Sequence, residues 1–257
     1  GEAGFTFPKS LWAVYDALEL MTDNDPEAIV LDFFAGSGTT GHALWELNKN
    51  IGCNKRFILV QLPEALDPRD KEQSIAAEFC KNLNKPLNIA ELTKERLRRA
   101  GEKIINENPL LVSDLGFRVF RLDSSNIKAW DTNAKELEGT IEDYIEHIKE
   151  DRSEQDILFE LLLKLGLDLA VQIESRDIAN KQVYNVGYGV LLVCLATNVA
   201  NAEIEPLALG MIEWIKEQNP EAETTIVFRD SAFADDIAKT NITAIFNQYG
   251  FLNIRSL

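Results

Sequence analysis

Apolar positions along this 257-residue chain fall into short runs and longer amphipathic stretches, and their alternation predicts an α/β protein. Residues 29–33 read as a buried strand, 39–47 as a helix and 56–61 as the next strand. Residues 8–21 read as a helix with Pro8 near its first turn, where a missing N–H costs nothing. Residues 67–86 are polar and irregular, with some helix around 74–80, and 89–105 are helical. In 116–122, Arg118 and Arg121 alternate with Phe117, Val119 and Phe120, which predicts a strand. Acids in 136–156 recur at helical spacing opposite Leu137, Ile141, Tyr144, Ile145 and Ile148, the pattern of a helix with one solvated face. A helix over 156–165 should stop at Gly166. Strands follow at 169–174, 183–186 and 190–195, then a helix at 205–217, a strand at 225–228, a helix at 235–248 and a closing strand at 252–255. This ending predicts a second, smaller sheet with helices packed on it. The division falls between about residues 107 and 132 and gives two domains, 1–115 and 116–257.

The most informative stretch is Ile29-Val30-Leu31-Asp32-Phe33-Phe34-Ala35-Gly36-Ser37-Gly38-Thr39-Thr40-Gly41, an apolar strand breaking into a glycine turn and then a helix. α/β proteins seat adenosine-containing cofactors on such a turn. Gly36 and Gly38 permit backbone conformations that a β-carbon penalises, and the first N–H groups of the following helix favour an electron-rich ligand group. By spacing alone, Gly36-x-Gly38-x-x-Gly41 also fits the dinucleotide fingerprint, so an α/β oxidoreductase has to be weighed. Such a site expects an acid at the end of the second strand for the ribose hydroxyls. Here that strand ends in Gln61, and the nearest acid is Glu64. Asp32, before the glycines, would repel a pyrophosphate and attract an ammonium, which points to S-adenosylmethionine; the dull alternative is that Asp32 only caps the turn. Strand alternation directs one of Phe33 and Phe34 inward and the other toward the cofactor. Gln61 and Glu64 both sit where the ribose should lie, and the sequence leaves open which of them holds it.

Leu31-Asp32-Phe33-Phe34-Ala35-Gly36-Ser37-Gly38-Thr39-Thr40-Gly41-His42-Ala43, with Arg56-Phe57-Ile58-Leu59-Val60-Gln61-Leu62-Pro63-Glu64, resembles motif I and the next strand of the modification (Mod) subunits of type III restriction-modification systems, which are N6-adenine DNA methyltransferases. Phe5-Thr6-Phe7-Pro8-Lys9-Ser10 resembles their motif X, which precedes motif I in their permuted order. Lys94-Glu95-Arg96-Leu97-Arg98-Arg99-Ala100, Gly116-Phe117-Arg118-Val119-Phe120-Arg121-Leu122-Asp123-Ser124-Ser125-Asn126 and Val227-Phe228-Arg229-Asp230-Ser231-Ala232-Phe233 are similar to later segments, so the resemblance runs end to end. It implies a partial Rossmann-like methyltransferase sheet followed by a smaller α/β domain. It also implies an S-adenosylmethionine site at Phe7, Pro8, Lys9, Asp32, Phe33, Phe34, Ala35, Gly36, Ser37, Gly38, Thr39, Thr40, Gln61 and Glu64, with the motif X segment beside the methionine carboxylate. The chain departs from the family in one respect. N6-adenine methyltransferases carry an Asp/Asn/Ser-Pro-Pro-aromatic motif that holds the target amino group and stacks on the flipped base. This chain has eight prolines, no two adjacent, so no catalytic residue is assigned within it. In the permuted order that motif lies before motif X. The expectation is a carboxyl-terminal piece of a Mod subunit, inactive alone, whose parent binds double-stranded DNA, a second Mod subunit and the restriction (Res) subunit. The competing expectation is a non-catalytic module for dimerisation or for docking the restriction subunit.

Composition adds constraints. A hydrophobic content of 46% suffices for one large or two modest cores, and no apolar run is long enough to cross a bilayer, so a cytoplasmic protein without a membrane partner is expected. Cys53, Cys80 and Cys194 are scattered and only His42 and His147 accompany them, which argues for reduced thiols and against a metal site. His42 reads as structural. The net charge is −16, unevenly spread: 16 basic and 19 acidic residues lie up to Trp130, and 10 basic and 23 acidic residues after it. The second part is therefore not expected to bind DNA. Arg96, Arg99 and Lys103 share one helix face and read as a solvated charged face, with DNA phosphate contact as the alternative.

Overall fold

The structure is a computed structural model that describes residues 9–110, 113–128 and 148–257, and the chain divides into two compact units, Gly1–Arg118 and Val119–Leu257. Both are mixed α/β. In the first, α1 (Leu11–Thr22) precedes β1 (Ile29–Asp32), α2 (Thr39–Ile51), β2 (Arg56–Leu59), α3 (Ser74–Asn82) and α4 (Ile89–Glu107). β1 and β2 pair in parallel, from Ile29 opposite Arg56 to Asp32 opposite Leu59, with α2 as the crossover between them. α2 is buried over most of its circumference. Ala43, Leu44 and Leu47 pack with Leu18 of α1, while Trp45 packs with Leu97, Ala100 and Ile104 of α4. Val30, Phe57 and Leu59 join these clusters from the strands.

The expectation that 29–33 is a buried strand is corrected. Helices cover one face of the two-stranded sheet, and alternation sends Ile29, Leu31, Ile58 and Val60 to the other, where they are 45–54% exposed. The first helix starts later than expected, at Leu11, because Ser10 caps it by accepting a hydrogen bond from the Ala13 N–H at 3.5 Å. Residues 116–122, expected as a strand, join no ladder. Two of their rings pack against aromatic side chains instead: Phe117 lies 6.2 Å from Trp45, and Phe120 lies 4.9 Å from Phe159, between ring centroids.

The second unit holds α5 (Glu154–Leu165), β3 (Ile173–Ile178), β4 (Lys181–Val186), β5 (Leu191–Cys194), α6 (Ile204–Gln218), β6 (Thr225–Phe228), α7 (Asp236–Gln248) and β7 (Ile254–Ser256). The sheet order is β3-β4-β5-β6-β7, antiparallel across the first three strands and parallel across the last three. α6 and α7 cover one face through Met211, Trp214 and Phe246 against Leu192 and Phe228. α5 covers the other through Leu158 and Leu162 against Val193 and Val227. Gly166 ends α5 in the left-handed conformation, as its position predicts. The strand expected at 169–174 lies instead at 173–178. Residues 173–178 are Ile-Glu-Ser-Arg-Asp-Ile, an edge strand whose polar centre carries no period-two apolar signal. Ala179 and Asn180, both at positive φ, make its two-residue turn into β4. The closing strand likewise begins two residues later than expected. Most of the acidic helix expected at 136–156 lies outside the described residues; of its apolar set, Ile148 is buried against α5.

Candidate functional site

β1 delivers Asp32 to the carboxyl end of the two-stranded sheet, and the chain then turns through 33–38 into α2. Asp32 organises that turn. One carboxylate oxygen accepts from the Phe34 N–H at 3.0 Å and the other from the Thr40 hydroxyl at 2.6 Å. Gly36 and Gly38 stand at φ of +53° and +73°, left-handed conformations that only glycine adopts cheaply. Gly38 is also the N-cap of α2 and offers no side chain, so the first N–H groups of the helix receive no side-chain cap.

Two other elements hold this loop. From β2 and its continuation, the Val60 carbonyl accepts from the Ala35 N–H at 3.1 Å, and the Gln61 amide oxygen accepts from the Gly36 N–H at 2.7 Å. The Gln61 amide nitrogen donates to the Leu62 carbonyl at 3.0 Å. From α4, the Arg96 guanidinium donates from one nitrogen to the Ser37 and Thr39 hydroxyls, at 2.6 and 2.7 Å, and the Thr93 hydroxyl donates to the Gly36 carbonyl at 2.5 Å. Ala35 and Ser37 of the loop and Thr39 at the start of α2 are buried. Gly41 continues this close packing, because a Cβ there would stand 2.9 Å from Leu97 and 3.1 Å from Leu59.

The structure thus gathers Asp32, Ala35, Gly36, Ser37, Gly38, Thr39, Thr40 and Gln61 into one bonded turn. Glu64 is exposed further along the segment that follows β2. Lys9 is exposed just before α1, and Phe7 and Pro8 lie outside the described residues. The expected division between an inward and an outward phenylalanine is corrected: Phe33 and Phe34 are 65% and 85% exposed, because the strand ends at Asp32 and alternation ends with it. Arg96, read above with Arg99 and Lys103 as a charged face, instead turns toward the loop. Burial lowers its pKa from the usual arginine value. Arg99 pairs with Glu95 at 2.7 Å, and Lys103 pairs with Glu107 at 3.8 Å. His42, one turn into α2, has its pKa lowered to about 4, first by burial and then by the Arg96 charge. Thr93 and Arg96 were not legible as loop partners, since helical spacing does not say what a helix face meets.

The DNA methylase family matches residues 5–63, the stretch from the motif X resemblance through the glycine turn and β2. The chain is 38% identical over 121 residues to the type III restriction-modification enzyme StyLTI Mod subunit of Salmonella typhimurium, a match covering 47% of this chain and 17% of that protein. It is 40% identical over 118 residues to the EcoP15I Mod subunit of Escherichia coli, covering 46% of this chain and 15% of that protein. The Mod subunit of EcoPI, from Escherichia phage P1, matches at 32% over 116 residues. These alignments take in about half of the chain, less than the end-to-end resemblance read from its motifs, and under a fifth of the relatives' length. Over about half of its length the chain is thus similar to the modification subunits of type III restriction-modification enzymes, and it spans less than a fifth of the length of those relatives.

Proposed function

We propose that this chain carries the S-adenosylmethionine-binding segment of an N6-adenine DNA methyltransferase, on a βαβ unit that is part of a larger Rossmann-like sheet. The observation that carries the reading is the turn itself. Two left-handed glycines shape the turn, the helix start after them carries no side-chain cap and so offers its first N–H groups to an electron-rich group, and the Asp32 carboxylate stands at the strand end before them. Each Asp32 oxygen has accepted one hydrogen bond and keeps a lone pair for a ligand donor, so the residues present fit the cofactor. Gln61 spends its amide on Gly36 and Leu62, which leaves Glu64 the better partner for the ribose hydroxyls. Phe33 and Phe34 supply exposed rings for the adenine, and Lys9, within the motif X segment, supplies a cation for the carboxylate.

When bound, S-adenosylmethionine supplies the methyl group for the adenine amino nitrogen. The contribution of this chain is alignment: it fixes the cofactor end of the reaction while the residues that grip the flipped base, absent from these 257 positions as a Pro-Pro motif, come from elsewhere in the subunit. The 257-residue chain alone is therefore inactive, and double-stranded DNA is engaged through the intact subunit. A second modification subunit and the restriction subunit are its protein partners, for which the acidic second unit is better suited than for DNA. The test is titration of the intact subunit with S-adenosylmethionine. Asp32→Ala should weaken binding by about 1.5–3 kcal/mol, the worth of a hydrogen bond to a charged group. Unchanged affinity in a folded variant would return Asp32 to a turn cap alone.

A further inference from the structure

We propose that Arg96, seconded by Thr93, is the positioning residue of the cofactor loop: α4 holds the loop from beneath in the conformation that receives S-adenosylmethionine. The proposal rests on the reading of the turn given above and assigns the loop a support that its own motif does not contain.

The loop has reason to need one. Its two left-handed glycines lose more backbone freedom on ordering than any other residue type would. On its strand side it is fixed by the Val60 carbonyl and the Gln61 amide, and on the other side by α4. There a single guanidinium nitrogen reaches both Ser37 and Thr39, whose hydroxyls lie 3.0 Å apart, and so spans the step from loop to helix. Thr93 adds the Gly36 carbonyl and places its methyl 3.0 Å from where a Cβ on Gly38 would stand. Ser37 and Thr39 are 7% and 4% exposed, so these bonds are shielded from competing water.

The charge of Arg96 is ill placed for a residue whose purpose is fold stability. The acids next to it on α4 are engaged elsewhere, Glu91 with Lys94 and Glu95 with Arg98 and Arg99. Its partners at the loop are neutral hydroxyls, and it lies beside the positive end of the α2 dipole. A partly buried cation in that position adds little net stability over an apolar side chain of similar size. It does give two charge-assisted hydrogen bonds that fix the geometry of the loop.

The experiment has three readouts. Hydrogen exchange is followed on the 257-residue chain without ligand, thermal unfolding is measured on the same samples, and the intact subunit is titrated with S-adenosylmethionine, each for wild type, Arg96→Met, Arg96→Lys and Thr93→Val. The expected result is exchange about tenfold faster or more over 35–41 in Arg96→Met and Thr93→Val, with α1 and β2 unchanged, and a Kd raised by about tenfold or more. Arg96→Lys should restore part of both, and Tm should stay near that of wild type. Unaltered exchange over 35–41 would overturn the proposal, as would a freed loop that binds the cofactor with wild-type affinity. Exchange that accelerates throughout the unit with a large fall in Tm would make Arg96 a structural residue and also overturn it. Failure of the wild-type subunit to bind S-adenosylmethionine would overturn the cofactor reading and the positioning role with it, while the exchange pattern would still decide whether α4 clamps the loop.

Discussion

Asp32 stands at the strand end before the glycine turn, and His42 stands one helical turn into α2 after it. Asp32 ties the turn to itself through Phe34 and Thr40, so the capping reading and the cofactor reading describe the same carboxylate rather than competing for it. His42 is held neutral: burial lowers its pKa in the fold to about 4, below the ordinary histidine value of 6.5. The unfolded chain therefore takes up this proton first as pH falls, and the stability due to His42 is complete above about pH 6.5 and lost progressively toward pH 4. Comparing Tm at pH 7.5 and 5.0 for wild type and His42→Gln checks this. The wild type should lose more Tm than the glutamine variant across that interval, and equal losses would contradict the shifted pKa. At this scale the sequence was legible where chemistry is local. The aspartate at a strand end and the two glycines announced the turn. The inward bend of Arg96 was not, because its neighbours Arg98 and Arg99 share its charge and only the arrival of Ser37 and Thr39 from 57 to 59 positions away distinguishes it.

Among the elements, those with an intrinsic stop or an unbroken apolar run were read closely from the sequence. β6 spans 225–228 as expected, and β5 falls within its expected run because all four of its residues are buried between two helical layers, the composition of a central strand covered on both faces. α5 ends at Gly166 and begins at a capping box in which Ser153 accepts from the Asp156 N–H at 3.2 Å and the Asp156 carboxylate accepts from the Ser153 N–H at 2.9 Å. Ser153→Ala should lower stability by about 0.5–2 kcal/mol, measured by urea unfolding, with the m-value unchanged. No measurable loss would show that the packing of Leu158 and Leu162 alone holds this helix end. The elements misread were those defined by their neighbours. β3 is an edge strand with a polar centre, and residues 116–122 alternate in sequence yet meet rings rather than a partner strand. Likewise β1 and β2 have the composition of buried strands, but one of their faces carries Ile29, Leu31, Ile58 and Val60 half exposed.

For the whole molecule, charge and length decide more than any single contact. The second unit carries most of the net −16, and an acidic surface opposes the phosphate backbone whose neutralisation supplies most non-specific DNA affinity. Residues 119–257, prepared alone and checked by circular dichroism, should show no salt-sensitive DNA binding in a filter or anisotropy assay, and such binding would overturn the charge argument. The central claim is that this chain is the cofactor segment of an adenine methyltransferase and lacks the residues that grip the base. It is tested most directly by nucleoside analysis of unmethylated duplex DNA after incubation with labelled S-adenosylmethionine, using either the intact modification subunit that contains these 257 residues or the 257-residue chain alone. The account predicts labelled N6-methyladenine from the intact subunit and none from the chain alone. Methyladenine made by the repurified chain, or an intact subunit that labels no adenine, would contradict it.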